Sequence, residues 1–137
     1  MTSDSTIRDI LQTNRTIALV GWSPNPSRAS HHVAAYLVSK GYRVIPVNPG
    51  HAGDEALGET VVPDLASLPV PVDMVDIFRR SEDVPPVVEQ AVKLPGLKTV
   101  WMQLGIRNAE ARALAEGHGI TVVEDRCPAI EYPRLIG

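Results

Sequence analysis

Cys127 is the only cysteine in a chain of 137 residues, so no intramolecular disulfide can form and a cysteine-built metal site is excluded. No apolar run approaches the ~20 residues that a membrane-spanning helix needs. The segment from Met1 to Gln12 is polar and has no apolar signal-peptide core, which reads as a cytoplasmic protein. The net charge of −3 argues against a nucleic-acid binder held by backbone phosphates, while leaving room for a local basic pocket for one small anion. There are no internal repeats, low-complexity runs or linkers. The dinucleotide fingerprint G-x-G-x-x-G is absent: after Gly21, Ser23 and Pro26 stand where further glycines belong. Asn48 occupies the place of the acidic residue that would hold a ribose, so a nicotinamide or flavin dinucleotide is disfavoured. No Walker loop, zinc motif or Ser-His-Asp arrangement is present. Asp73, Asp76, Glu124, Asp125 and Glu131 show no acid–base spacing. His31 and His32 are adjacent, point in different directions on a helix, and read as packing or solvent-facing residues.

What remains is ordinary for a globular protein, with 44% hydrophobic and 21% charged residues in one domain's length of chain. Ile17 to Val20 is a short, partly β-branched, uncharged run, as a buried parallel strand should be. Gly21 closes it, and Ser23, Ser27 and Ser30 surround the expected start of a helix over 30–39 that ends at Gly41. A strand, a small-residue turn and a helix N-terminus together make an anion site. Arg43 to Val47 is the second strand, with Pro46 marking either an edge position or a bulge. Strand, helix and strand make one right-handed βαβ unit.

Residues 51–65 read as loop, with Val61-Val62 as a short edge strand. Met74 to Phe78, Lys98 to Met102 and Ile120 to Val123 are further strands, separated by helices that Ser81 and Asn108 are placed to cap. Pro85 and Pro86 fit only the first turn of theirs. An amphipathic helix over 6–13, with Asp4 or Ser5 as its cap, precedes the first strand. The alternation predicts an α/β, Rossmann-like, doubly wound, mainly parallel five-stranded sheet in three α/β/α layers. The expected order is 3-2-1-4-5, with a helix over 1–14 packed on a domain over 15–137.

In such a sheet the functional loops leave the C-terminal ends of strands. Those ends supply Gly21-Trp22-Ser23-Pro24, Val47-Asn48-Pro49, Phe78-Arg79-Arg80, Gln103-Leu104-Gly105 and Asp125-Arg126-Cys127. Arg28, Arg79 and Arg80 are suited to phosphate. Phe78 or Trp22 offers a ring to lie beside a base. Asn48 serves equally as the holder of the Asn-Pro turn.

Taken in order, Val20-Gly21-Trp22-Ser23, Gly41 to Pro49, Val75 to Arg80, Trp101 to Gly105 and Asp125-Arg126-Cys127 resemble the single-domain CoA-binding protein family. That family is similar to the CoA-binding domain of the succinyl-CoA synthetase α subunit. The resemblance implies a Rossmann-like fold that binds coenzyme A or an acyl-CoA. It implies that Gly21, Trp22 and Ser23, with Pro24 and Arg28, hold the diphosphate. Val47, Asn48 and Pro49 would line the adenosine side, Phe78, Arg79 and Arg80 would flank the ligand, and Gln103, Leu104 and Gly105 would border the pantetheine path. Cys127 follows Arg126 on the same rim and is a candidate to meet the CoA thiol as a mixed disulfide. The synthetase's phosphorylated histidine and ATP-grasp partner are not read in this sequence, so the resemblance implies binding without the ligase reaction. The readings that compete are a small NAD(P)-dependent oxidoreductase and a ligand-free regulatory interaction protein. An exposed edge strand or the C-terminal segment offers a surface on which two copies can pair as a homodimer.

Overall fold

The structure, a computed structural model, describes residues 2–137. Strand β1 (Thr16–Val20) lies inside a five-stranded parallel sheet with β2 (Arg43–Val47), β5 (Met74–Ile77), β6 (Thr99–Met102) and β7 (Thr121–Val123), in the order β2-β1-β5-β6-β7. β1 pairs with β2 from Thr16–Arg43 to Val20–Val47 and with β5 from Ile17–Met74 to Val20–Ile77. The two central strands are therefore flanked on both sides, which explains why their side chains are almost wholly apolar.

Successive residues alternate between two layers. Ala18, Val20, Val75, Ile77, Val100 and Met102 pack under α3 (Val84–Ala91) and α4 (Ala109–Gly117). Ile17, Leu19, Met74 and Trp101 pack under α1 (Asp4–Thr13), α2 (Ala29–Ser39) and α5 (Pro128–Leu135). This is the three-layer Rossmann-like arrangement expected. The switch point lies between β1 and β5, where successive crossovers go to opposite faces.

The expected order counted Val61-Val62 as the third strand. That segment does lie beside β2, but only as a single parallel bridge, Val47–Val62, so the regular strands run second-first-third-fourth-fifth. Pro46 gives the reason. Its carbonyl accepts from the Val62 N–H at 3.1 Å, on the outer side of β2. Its missing N–H would face the same side, so the proline cuts the outer ladder short without costing β1 a bond.

Several local assignments differ from expectation. Ser3, not Asp4 or Ser5, caps α1, its hydroxyl accepting from Thr6 N at 3.2 Å. Ser81 does not cap α3: residues Ser81–Asp83 form a 3₁₀ turn, and the Ser81 hydroxyl accepts from Arg107 N at 3.0 Å. Asn108 caps α4 as expected, accepting from Ala111 N at 2.9 Å. The stretch read as loop contains a small antiparallel hairpin of β3 (Glu55–Ala56) and β4 (Glu59–Thr60). Arg43 anchors it through paired contacts to Glu59 at 2.8 and 3.1 Å. Among the described residues no helix is long and apolar enough to cross a membrane.

Candidate functional site

The turn after β1 is built around Gly21. Its φ is +91°, a region L side chains rarely enter, and a Cβ there would lie 2.5 Å from the Phe78 carbonyl oxygen. Its N–H donates to Val47 O at 2.9 Å, and Phe78 N–H donates to Val20 O at 2.8 Å. Three strand ends are thus brought together at one glycine. The loop beyond it coils on itself: Ser23 Oγ accepts from Asn25 N at 3.1 Å, and Asn25 Oδ1 accepts from Ser27 N and Oγ at 3.0 and 2.9 Å. His31 Nδ1 stands 3.1 Å from Ser23 O; a carbonyl can only accept, so this nitrogen carries the proton.

This turn opens into a cleft of about 430 Å³ lined by Gly21, Ser23, Arg28, Ala29, Ser30, Asn48, Phe78 and Arg79. Ala29 and Ser30 are the first residues of α2, so the positive end of that helix faces the cleft. A second cleft of about 360 Å³ is walled by Val33, Phe78, Leu104, Ile106 and Cys127, with Ala29, Arg79, Arg80 and Gln103. The two share Ala29, Phe78 and Arg79, and so form one groove across the C-terminal ends of the strands, polar at one end and apolar at the other.

The charges in the groove are unequal. Arg80 is neutralised by Asp83 at 3.0 Å and Glu82 at 3.9 Å, which raise its own proton affinity. Arg28 and Arg79 make no ion pair or side-chain hydrogen bond among the described residues. A different cavity, of about 320 Å³, is lined by Arg107, Arg112 and Arg126, but every one of these meets an acid. The pairs are Arg107–Asp125 at 2.8 Å, Arg112–Glu124 at 2.7 Å and Arg126–Glu131 at 3.4 Å. Uncompensated positive charge gathers instead around Gly21, where an anion would meet two guanidinium groups and a helix start.

Not every rim residue read from the sequence reaches the groove. Trp22 is buried with its ring 6.2 Å from that of His31, and its indole N–H has no acceptor among the described residues; it offers no face to a base. Phe78, half-buried, does line the groove. The Asn48 amide donates to Trp22 O at 2.7 Å and accepts from Gly50 N at 2.8 Å. It lines the cleft while clamping the loops after β1 and β2. Val47 is buried beneath it, and Pro24 and Pro49 are exposed outside the cleft lining. Gly105 is turned aside by Asp125, whose carboxylate accepts from its N–H at 2.6 Å. That bond, with Arg107, holds the Asp125 carboxyl below its ordinary range. Leu104 is 55% exposed and forms a lip of the apolar end. Cys127, 6% exposed, stands at the start of α5 on the wall of the same end.

Sequence reasoning passed over Ala29, Val33 and Ile106, which line the groove as apolar wall, and it gave Asp76 no role. Asp76 is wholly buried in β5. The Gln103 amide meets it: with its nitrogen inward it donates to the two carboxyl oxygens at 3.0 and 3.2 Å. Burial pushes the Asp76 carboxyl well above its ordinary range. The available signal was one acidic residue inside an otherwise apolar strand.

A glycine turn, two arginines without counter-ions among the described residues and a helix start thus meet at the switch point of the parallel sheet, the place where open α/β sheets receive their ligands. Residues 15–133 match the CoA binding domain family, and the chain belongs to that family. It is 41% identical over 130 residues to the uncharacterized protein YneT of Bacillus subtilis, covering 95% of this chain and 94% of that protein. A cell-free product, ID.343, of Thermus thermophilus superposes with a TM-score of 0.92 at 40% identity, over 98% of this chain and 99% of that one. The dinucleotide-forming acetyl-coenzyme A synthetase 1 of Ca. Korarchaeum cryptofilum, in complex with phosphate and ADP, is similar at a TM-score of 0.68 and 27% identity. That likeness spans 84% of this chain and 27% of the synthetase chain.

Proposed function

We propose that this protein binds coenzyme A or an acyl-CoA in the groove between β1 and β5, and does so without chemistry of its own. The observation that carries the reading is the pairing of two ends: Arg28 and Arg79 without counter-ions around Gly21, and an apolar wall running from Phe78 to Cys127. Coenzyme A has the same polarity, with its phosphates on the nucleotide and a long uncharged arm ending in a thiol. In this reading the diphosphate lies on the turn of Gly21, Trp22 and Ser23 and the start of α2, with Arg28 beside it. The adenosine lies towards Asn48, with Val47 and Pro49 forming the floor and outer side of that loop. The arm passes Phe78 and Arg79, then Leu104 and Gln103, and its thiol end approaches Cys127.

Calorimetry with CoA, acetyl-CoA, NAD and NADP side by side tests the reading. Binding of CoA or acetyl-CoA without binding of the dinucleotides is the expected result. Binding of NAD or NADP alone would make the protein a dinucleotide binder, and heat from none of the four would leave a protein that uses the fold as an interaction surface.

A further inference from the structure

Three serines, Ser23, Ser27 and Ser30, surround the start of α2, and the loop uses the hydroxyls of two of them. Ser23 Oγ accepts from Asn25 N at 3.1 Å, and Ser27 Oγ donates to Asn25 Oδ1 at 2.9 Å. Ser30 is different. It lines the cleft at Gly21, is only 5% exposed, and its hydroxyl makes no hydrogen bond among the described residues. A helical serine can turn its hydroxyl back to the carbonyl four residues earlier. Here that carbonyl, of Pro26, is met by the His32 ring instead.

The backbone beside Ser30 is in the same condition. Arg28, which precedes α2, offers no side-chain bond to its first turn. His31 N and His32 N donate to Arg28 O at 3.1 and 3.4 Å, whereas Ala29 N and Ser30 N find no acceptor among the described residues. Two N–H groups and one hydroxyl are therefore left unused within two consecutive residues. A hydroxyl held out of water without a partner is a cost to the ligand-free fold, and alanine would suit both the burial and the helix better. Arg28 and Arg79, without counter-ions among the described residues, line the same cleft, so the acceptor that these donors await is an anion.

We propose that Ser30 is a ligand-binding residue, whose hydroxyl joins the Ala29 and Ser30 N–H groups in seating one phosphoryl group of the ligand's diphosphate. This rests on the CoA reading, which lays the diphosphate at this helix start and gives Ser30 no part. The assignment divides the polar end of the groove into two kinds of contact. The arginines attract the phosphates by charge, which salt screens. Ser30 contributes a neutral donor in a largely desolvated place, which salt leaves nearly untouched.

Calorimetry of Ser30→Ala against CoA, and against ADP, which shares the diphosphate and has no arm, tests the inference. Both ligands are expected to weaken about tenfold, the worth of a hydrogen bond to a charged group. That loss is expected to hold within about twofold from low to high salt, while the loss in Arg28→Ala shrinks. Without ligand, Ser30→Ala is expected to melt at or above the parent temperature, since no bond inside the protein is removed. Four results overturn the inference and leave the CoA reading intact: unchanged CoA affinity in Ser30→Ala, a loss for CoA with none for ADP, a loss that salt erodes as it erodes the Arg28→Ala loss, or a ligand-free variant that melts several degrees below the parent. Should ADP bind the parent too weakly to measure, the CoA loss and its salt dependence decide alone. A parent that binds ADP and not CoA overturns the CoA reading alone, and one that binds neither overturns both.

Discussion

A methyl group on Gly21 would lie 2.5 Å from the carbonyl oxygen of Phe78, closer than any real carbon approaches an oxygen across a fold. The Cβ position is fixed by the Gly21 backbone and the atom it meets is a backbone oxygen, so no side-chain rotation relieves the contact. Gly21→Ala also forces a φ of +91° on an L residue, which costs roughly 1–2 kcal/mol before the clash is counted. The variant is expected to melt several degrees below the parent and to lose ligand-induced stabilisation. A thermal-shift series with and without CoA reads both. A melting temperature equal to the parent's would show that the strand ends are not locked at this point.

Arg28 and Arg79 stabilise nothing in the protein by charge, since neither has a partner among the described residues. Arg28→Ala and Arg79→Ala should therefore leave the melting temperature within about a degree. Each should weaken CoA about tenfold or more, the worth of a charge-assisted bond to phosphate. Arg80→Ala, whose guanidinium is shared with Asp83 and Glu82, should cost much less. Titrations at low and high salt give the comparison. A larger loss from Arg80 than from Arg79 would reverse the assignment.

Cys127 gives a local reporter. Cys127 lines the same end of the groove as Gln103, where the proposed reading puts the end of the arm. Saturating CoA should slow its alkylation by a small reagent several-fold, whereas ADP should not. Rates followed by intact-protein mass spectrometry decide it, and equal protection by ADP would put the arm elsewhere.

Acid titration should separate two carboxyls by the sign of their effect. Asp76 is held above its ordinary value of 3.8 by burial, so the folded state keeps a proton that the unfolded state releases. Stability it contributes is present below about pH 4 and declines as pH rises. Asp76→Asn should therefore melt above the parent, with a gap that widens from about pH 4 towards neutrality. Asp125 is depressed by the Gly105 N–H and Arg107, so its contribution is present above about pH 4 and is lost as pH falls through its lowered value. Asp125→Asn should melt below the parent at neutral pH and converge with it in acid. Melting curves over that range show whether the two slopes oppose.

Much of this molecule could be read from residue types. The strands were legible because they are short uncharged runs between glycines and prolines, and the groove was legible because loops at strand ends converge wherever such a sheet reverses. The hairpin at Glu55–Thr60 was not. Its turn is Leu57-Gly58, with φ of +58° and +74°, and leucine in the first of those places hides a turn that Asn-Gly would have announced. Nor could the sequence tell facing from buried among rim residues. Trp22 sits one position from Gly21 and points inward, while Asn48 spends its amide on two backbone groups. Arg79 and Arg80 differ because Glu82 and Asp83 follow at reach of the second only, a distinction set by the 3₁₀ turn that brings them round.

Pro46 and the Val47–Val62 bridge have a consequence for how copies of this chain meet in a crowded solution. An open sheet margin templates aggregation, because a foreign strand can dock on its free N–H and carbonyl groups. Here one margin has its carbonyl taken by Val62 and its next donor deleted by proline. At the far margin, the Thr2 hydroxyl donates to Val122 O at 3.2 Å. A passing strand finds little purchase on either flank, which protects a sheet whose central strands would be strongly amyloid-prone if laid bare.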